Sequence, residues 1–316
     1  MENINEDINY RIERISNDKL KDIDILYEIV YKHKPDRDLF LKKYNTVYTG
    51  LQYIGHIAYN DENIPVAHFA ILPCFIQYEN ELILSGQATD AMTHPSYRNK
   101  RLFEKLAQQT FEMCKANGIK FLFGFPNQNS YHPLVNKLEW KKIYNLQLFS
   151  IDVKVSPLVS ALKKIRATKL SENYTPEVLQ KYRLPENGLQ NTFIKEGFSS
   201  VYRSDDYLKY KAAYSNSCVI KIENAKLWIR INNNLIIGDI EVQEQEFDSV
   251  IIQLQKIVKQ LGLKQILFQT SAGTKVHALF ASRYESKNAF PFIMLNLGSG
   301  MAADKLKFSF ADIDIF

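Results

Sequence analysis

Apolar residues recur at two different spacings along the first 150 residues, and the changes of period predict alternating helices and strands. Leu20, Ile23, Leu26 and Val30 follow the three-to-four spacing of a helix, predicted over residues 19–31. Shorter runs that are apolar or alternate in polarity predict strands. These strands cover residues 10–15, 53–59, 66–78, 82–93 and 119–125, and a second short helix covers residues 37–44.

The clearest helix is predicted over residues 98–117, where Leu102, Leu106 and Cys114 mark one apolar face. It ends at Asn117-Gly118, because glycine accepts the left-handed conformation that commonly ends a helix. The strand before it, the helix and the strand after it make a βαβ unit, whose two strands pair in parallel. A further helix is predicted over residues 133–138, and one or two strands over residues 140–153.

A second series of elements is predicted after a polar connection. We expect a first domain at residues 1–153, a linker at 154–190 that contains a short helix at 157–165, and a second domain at 191–316. The second domain repeats the order of elements in the first, which is consistent with an internal structural duplication. Its predicted strands are 217–223, 226–231, 235–242, 265–269 and 290–297, and its predicted helices are 246–261 and 274–283.

Composition narrows the class of protein. Hydrophobic residues make up 46% of the 316 residues, and the net charge of +5 comes without a long Lys/Arg run. A globular protein that does not bind nucleic acid is therefore expected. The three cysteines favour neither a disulfide framework nor a metal site. The acidic amino terminus does not resemble a signal peptide, and no run approaches 18 apolar residues, so we expect a cytoplasmic protein without a membrane span.

The stretch from residue 88 to residue 106 carries the main functional signal. A strand-like run reaches His94-Pro95, turns, and enters the helix through Arg98, Lys100 and Arg101. Free backbone N–H groups and the helix dipole favour an anion at such a helix start. The sequence therefore predicts a phosphate-binding turn at this place.

Three runs in the chain carry a family resemblance. They are Asp-Ala-Met-Thr-His-Pro-Ser-Tyr-Arg at residues 90–98, Phe-Pro-Asn-Gln-Asn-Ser at 125–130, and Asp-Ile-Asp-Ile-Phe at 312–316. With the order of elements in residues 10–150, they resemble the GNAT superfamily of acyl-CoA N-acyltransferases, and within it a tandem subgroup associated with bacterial surface-polysaccharide genes. The resemblance implies an α+β (α/β) fold in which a mixed central sheet has splayed strands. It also implies a second GNAT-like half, which we expect to bind no cofactor.

The resemblance further implies acetyl-CoA, or another acyl-CoA, as co-substrate. Backbone groups of Ala91, Met92 and Thr93 would contact the pantetheine arm and the thioester carbonyl. The pyrophosphate would lie against the turn and the helix start, and two asparagines would bind the pantetheine or the acceptor. The turn residues are Arg98, Asn99, Lys100, Arg101, Leu102 and Phe103, and the asparagines are Asn127 and Asn129.

One position of the phosphate turn departs from the family pattern. The family has glycine at the place of Arg101, and glycine or alanine at the place of Phe103. Glycine lets a phosphate approach bare backbone. Arg101 either compensates by supplying a guanidinium or crowds the turn, and the sequence leaves both alternatives open.

Acyl transfer needs a group that takes a proton from the amine, and it benefits from an acid for the leaving thiolate. Asp90 is the candidate base, or it holds the ammonium of the acceptor; the alternative is a structural carboxylate. The tyrosine that acts as acid in many GNAT enzymes falls at Val135, so Tyr131 and Tyr144 are the candidate substitutes. The alternative for both tyrosines is a packed aromatic side chain.

The predicted function is transfer of an acyl group from acyl-CoA to a small amine, with an amino sugar suggested by the subgroup resemblance alone. A Fem-like aminoacyltransferase that uses aminoacyl-tRNA and a non-catalytic GNAT-fold binding protein are the alternatives. Two related segments, residues 39–44 and 203–210, either shape an acceptor pocket or form solvated helix faces. The resemblance does not specify the oligomeric state.

Overall fold

The computed structural model describes residues 10–154 and 177–316. The predicted helix at 157–165 and most of the predicted linker lie outside the described residues. Within the described part, no helix has the length and apolar character needed to cross a membrane. The described residues form two compact units. The first contains residues 10–75, 83–142 and 293–300, and the second contains 76–82, 143–154, 177–292 and 301–316.

The first unit is built on a mixed sheet. Its strands are β1 (Arg11–Arg14), β2 (Ile54–Tyr59), β3 (Pro65–Tyr78), β4 (Glu81–Thr93) and β5 (Phe121–Gly124), and its helices are α1 (Leu20–Tyr31), α2 (Leu39–Lys43), α3 (Leu102–Ala116) and α4 (Gln128–Lys137). The strands lie side by side in this order. β1, β2 and β3 are antiparallel neighbours, whereas β4 and β5 are parallel, as the βαβ pattern predicted.

Helices cover both faces of this sheet. On one face α3 and α4 pack in a core that includes Leu106, Phe111 and Trp140. On the other face α1 and α2 pack around Ile23, Phe40 and other apolar residues. The central strand β3 is buried along nearly its whole length because both of its faces are covered. This explains its continuous apolar sequence.

The second unit repeats the architecture. Its elements are β6 (Lys141–Asp152), α5 (Glu177–Gln180), α6 (Thr192–Lys195), β7 (Ser200–Val201), α7 (Asp205–Tyr214), β8 (Ser217–Ile222), β9 (Ala225–Ile231), β10 (Leu235–Glu241), α8 (Phe247–Gln260), β11 (Gln265–Thr270), α9 (Lys275–Ala281) and β12 (Ser286–Asn296). β8, β9 and β10 are antiparallel neighbours, and β10 pairs in parallel with β11. The order β8-β9-β10-α8-β11-α9-β12 repeats the order β2-β3-β4-α3-β5-α4-β6.

The last strand of each series pairs within the other unit. Residues 147–152 of β6 pair with β11 in the second unit. Residues 293–296 of β12 pair with β5 in the first unit. The strand pairing within each unit therefore includes a strand from the other half of the sequence.

Two helix starts differ from the predictions. The helix predicted from residue 98 begins at Leu102, because Asn99 and Arg101 have the left-handed φ angles 64° and 56° that a helix cannot contain. The helix predicted from residue 133 begins five residues earlier, at Gln128. There the Asn127 side chain caps the first turn, and Pro133 lies inside the helix.

Candidate functional site

The strands β4 and β5 run parallel only over a short distance. Gly86 is opposite Leu122 and Gln87 is opposite Phe123, and β5 then ends at Gly124. β4 continues to Thr93, so its last residues extend beyond the paired segment. A strand that extends past its partner offers peptide groups to an extended ligand. This is the segment in which Ala91, Met92 and Thr93 were predicted to contact pantetheine.

A bulge in β4 sets the direction of the Asp90 side chain. Ala88 and Ala91 both pack against the core that contains α3, although strand alternation places residues three apart on opposite faces. Asp90 has a φ of 47°, and Met92 lies in the core that contains α1 and α2. The extra residue between Ala88 and Ala91 therefore turns Asp90 to the face of α1 and α2.

On that face, Asp90 binds two side chains from the end of α2. Lys43 Nζ lies 2.9 Å from Asp90 Oδ1, and the Tyr44 hydroxyl donates to Asp90 Oδ2 at 2.8 Å. The Lys43 side chain is 6% exposed and the Asp90 side chain 16%, so the ion pair is largely shielded while the carboxylate keeps some access to solvent. Segment 39–44 thus has a buried face that reaches the predicted catalytic carboxylate. The interpretation as a solvated helix face is wrong for Phe40, Lys43 and Tyr44, whereas Leu41 and Lys42 of the same segment are exposed.

Behind Tyr44 lies a buried histidine. His68 of β3 has no exposed surface, and its Nε2 lies 2.9 Å from the Tyr44 hydroxyl. Its Nδ1 lies 3.1 Å from the carbonyl oxygen of His56. Burial lowers the pKa of His68 to about 4, although the nearby Asp90 charge opposes the shift. At neutral pH this imidazole is uncharged.

Aromatic rings continue from this network along α1 and α2. The Phe40 ring stacks on Tyr44 at 5.5 Å between centroids, and Tyr27 meets Phe40 edge-on at 5.7 Å. The Tyr27 and Tyr31 rings are 4.6 Å apart, and Tyr31 is 46% exposed. Burial raises the pKa of Tyr27, and the negative charge of Asp90 raises it further. Phe40 and Tyr44 are buried, so the accessible apolar surface of this row is that of Tyr27 and Tyr31, which suits an amine with an organic body.

The predicted phosphate turn is exposed. His94 ends β4, and its Nδ1 accepts a hydrogen bond from the Ser96 backbone N–H at 3.2 Å, which stabilises a short 3-10 turn. The next four residues, 98–101, are all exposed. Arg98, Lys100 and Arg101 make no ion pair with any described residue.

The start of α3 lacks a capping side chain. The residue at the cap position is Arg101, and its side chain accepts no hydrogen bond from the first turn of the helix. The N–H groups of Leu102 and Phe103 belong to the first turn, where a helix leaves its donors without an internal partner. Free N–H groups, the positive end of the helix dipole and three unpaired cations thus meet within six residues.

The asparagines predicted to bind ligand lie at the start of α4. Asn127 Oδ1 accepts from the backbone N–H groups of Asn129 and Ser130 at 2.9 and 3.2 Å, which makes it the helix cap. Tyr131 is partly exposed and precedes Val135 by one helical turn, so the two side chains lie on the same face of α4. Both pack against the core that contains α3. Tyr131 is therefore one turn from the position where the family has its tyrosine.

Tyr144 has a different environment from Asp90 and Tyr131. It belongs to the second unit, where its hydroxyl donates to the Leu306 carbonyl at 2.5 Å and pairs with Ser271 Oγ at 3.0 Å. Burial raises the pKa of this phenol. These contacts are typical of a structural tyrosine.

The counterpart of Asp90 in the second unit is fully buried. Asp239 lies at an irregularity of β10, after the residues that pair in parallel with β11. Arg203 binds Asp239 at 2.5 Å and Asp312 at 2.9 Å, and all three side chains have no exposed surface. The interpretation of segment 203–210 as a solvated helix face is therefore wrong for Arg203. The predicted tail at 312–316 ends in Phe316, which packs edge-on against Trp228.

Sequence reasoning missed Lys43, Tyr44 and His68 as partners of Asp90. A signal for His68 was present, because a histidine inside the apolar run Val-Ala-His-Phe-Ala-Ile-Leu is an unusual polar group in a buried strand. The contacts join residues that are 24 and 46 positions apart, and no local pattern reports such distances.

Comparisons with known proteins address the fold of the chain. Residues 11–143 match the family model described as an acetyltransferase (GNAT) domain. A search of curated proteins found no match to the chain. Solved structures with a similar fold include a GCN5-related N-acetyltransferase from Kribbella flavida, with 10% identity, a TM-score of 0.58, and 92% of this chain and 72% of that chain covered.

Two further structures show the same fold. A probable N-acyltransferase from Enterococcus faecalis has 9% identity and a TM-score of 0.59 over 92% of this chain and 73% of that one. The Saccharomyces cerevisiae N-myristoyltransferase with bound myristoyl-CoA has 10% identity and a TM-score of 0.55 over 97% of this chain and 85% of that one. The chain therefore has the GNAT fold, and its residues 11–143 match an acetyltransferase (GNAT) domain.

Proposed function

We propose that this protein is an N-acyltransferase that moves an acyl group, in the first instance acetyl, from acyl-CoA to a small amine. The observation that carries the proposal is the uncapped start of α3 preceded by Arg98, Lys100 and Arg101, directly after a strand that extends past its partner. A donor with phosphates at one end and an extended amide-bearing arm at the other matches both features.

The phosphates of the donor would bind residues 98–103. Backbone N–H groups of the α3 start would contact the pyrophosphate, and the three cations would neutralise its charge. The pantetheine arm would follow residues 91–93 of β4, where a backbone N–H would donate to the thioester oxygen as its negative charge develops. Removal of such a donor typically costs roughly 3–4 kcal/mol of transition-state stabilisation.

The acceptor amine would lie between Asp90 and the accessible rings of Tyr27 and Tyr31 in α1. Asp90 takes a proton from the amine while the nitrogen attacks the thioester carbonyl, the C–N bond forms and the C–S bond breaks. Tyr131 is the proposed proton source for the thiolate, and Asn129 is a proposed contact of pantetheine or acceptor. An amino sugar remains the proposed acceptor class on the strength of the subgroup resemblance, and the cytoplasm remains the proposed compartment.

The test is a thiol-release assay with purified full-length protein, acetyl-CoA and a panel of amines that includes amino sugars. We expect thiol release that depends on both substrates, and a Kd for CoA that rises about 10-fold in Arg98→Ala or Lys100→Ala, as for loss of one charged hydrogen bond. Lys115→Ala is the matched control, because Lys115 is an exposed α3 lysine already paired with Glu112. Absence of both CoA binding and thiol release would refute the proposal, and a stability increase with aminoacyl-tRNA alone would favour the Fem-like alternative.

A further inference from the structure

Four groups in the first unit form a row with three contacts at hydrogen-bond distance. The row runs from the His56 carbonyl to the His68 imidazole, the Tyr44 hydroxyl and the Asp90 carboxylate, with contacts of 3.1, 2.9 and 2.8 Å. We propose that Asp90, Tyr44 and His68 are a proton relay, in which the proton taken from the acceptor amine at Asp90 is passed to His68. The inference rests on the proposed function for the source of the proton.

The proton count of the row supports the relay. The His56 carbonyl and an ionised Asp90 can only accept, so His68 Nδ1 donates at one end and the Tyr44 hydroxyl donates at the other. A neutral imidazole and a phenol together have two protons that can be donated in hydrogen bonds, and these contacts use both of them. The contact between His68 Nε2 and the Tyr44 oxygen is left without a proton at 2.9 Å. One additional proton satisfies all three contacts.

The proton transfer uses the same three side chains. A proton that reaches Asp90 Oδ2 is donated to the Tyr44 oxygen as the Tyr44 proton moves to His68 Nε2, so no group carries two new protons and no bond is left open. Amide formation from an ammonium releases two protons. One passes through the relay and returns to solvent after the product leaves. Tyr131 gives its own proton to the departing thiolate, and the second proton from the ammonium restores it.

Several charged and titratable groups surround the relay. Lys43 of α2 binds Asp90 Oδ1, which leaves Oδ2 for Tyr44. Tyr27 of α1 senses the Asp90 charge, and His56 of β2 contacts Thr110 Oγ1 through its own Nδ1 at 2.9 Å. Burial lowers the pKa of His56 to about 4 as well, with Arg14 adding to the shift. His68 is thus the nearest proton-accepting group to Tyr44 on the buried side of the row.

Nitrogen NMR of histidine-labelled full-length protein, without substrates, tests the proton sharing directly. His68→Gln identifies the His68 signals. We expect a neutral His68 ring with its proton on Nδ1 at pH 7.5. The chemical shift of Nε2 should change in Tyr44→Phe. It should also change on acidification, and the pH dependence of that change should differ between Asp90→Asn and the natural protein. A His68 ring with its proton on Nε2 throughout, unaffected by Tyr44→Phe, would overturn the relay. This readout holds whether or not acyl transfer is observed.

Kinetics test whether the relay serves the reaction. Tyr44→Phe interrupts the row, and His68→Gln keeps a hydrogen-bonding group that cannot be protonated. We expect each to lower kcat by about 10²-fold, the lower end for a positioned proton-transfer group, without changing KM for acetyl-CoA. The double variant should be no slower than either single variant, because both interrupt one path.

If the kcat reductions of the two single variants multiply in the double variant, or if His68→Gln is fully active, the three side chains have only a structural role and the proposal is contradicted. His277→Gln is the matched control, since His277 is a partly buried histidine in the second unit. Circular dichroism and thermal unfolding of each variant establish that the fold is retained, and the NMR result decides the case for any variant that fails to fold.

Discussion

Replacement of Arg101 tests both the backbone strain at this residue and the role of its guanidinium in the proposed binding of CoA. Its φ of 56° lies in the left-handed region, where an L side chain costs about 1–2 kcal/mol. Arg101→Gly removes this cost, although glycine increases the entropy of the unfolded chain by roughly 0.5–1 kcal/mol. Arg101→Ala keeps the backbone cost and loses the same guanidinium. The glycine variant is therefore expected to be more stable than the alanine variant by about 0.5–1 kcal/mol.

Thermal unfolding followed by circular dichroism measures the difference, which corresponds to a Tm about 1 °C higher for Arg101→Gly. Equal values, or a lower Tm for the glycine variant, would refute the assignment of strain to this turn. Calorimetric titration with CoA then decides between the two roles of the guanidinium. If it binds phosphate, both variants lose about 10-fold in affinity; if it crowds the turn, Arg101→Gly binds more tightly than the natural protein.

Four further outcomes are expected. Asp90→Asn should lower kcat by about 10²-fold with little change in the Kd for CoA, because it removes the proposed base and leaves the proposed phosphate turn intact; unchanged kcat would exclude Asp90 as the base. Stability should fall by up to about 3 kcal/mol between pH 6.5 and 4, since the unfolded chain binds a proton there that folded His68 does not, and denaturant titrations should show a flatter curve for His68→Gln. Tyr144→Phe should cost about 1–3 kcal/mol by leaving the Leu306 carbonyl unpaired, and an unchanged Tm would contradict that role. Arg203→Met should lower the free energy of unfolding by about 3–5 kcal/mol, because it leaves two buried carboxylates without their cation. An unchanged free energy of unfolding would show that Arg203 does not offset the charges of these carboxylates.

Local patterns explain why much of the first unit was predictable. The apolar face of α3 and the strands on either side of it depend on spacings of two to four residues, which can be read directly from the sequence. The start of α3 was not predictable in the same way, because neither Asn99 nor Arg101 reveals a left-handed backbone from its identity alone. Asp90 was identified as a candidate, but the bulge that turns it toward α2 depends on pairing across the sheet.

The site was predictable only as far as its motifs extend along the chain. The turn at residues 98–103 is one continuous segment, whereas Tyr44, His68 and Asp90 come together from α2, β3 and β4. A buried histidine and a buried lysine are each unusual, yet neither indicates which residue it contacts. The second half was harder to interpret because Arg203, Asp239 and Asp312 form a fully buried group from three distant positions, and charged residues in a sequence usually indicate solvent exposure.

The strand exchange has a consequence for folding during translation. β5 finds its neighbour in residues 293–296, about 170 positions later, and until these residues emerge its edge stays open. An open strand edge is a site for pairing with other nascent chains, so β5 needs protection during about half of translation. We expect aggregation of truncated translation products to be suppressed by chaperones. A gene split between the two halves would separate β5 from residues 293–296 and β11 from residues 147–152, so neither product would contain all the strands that pair in it.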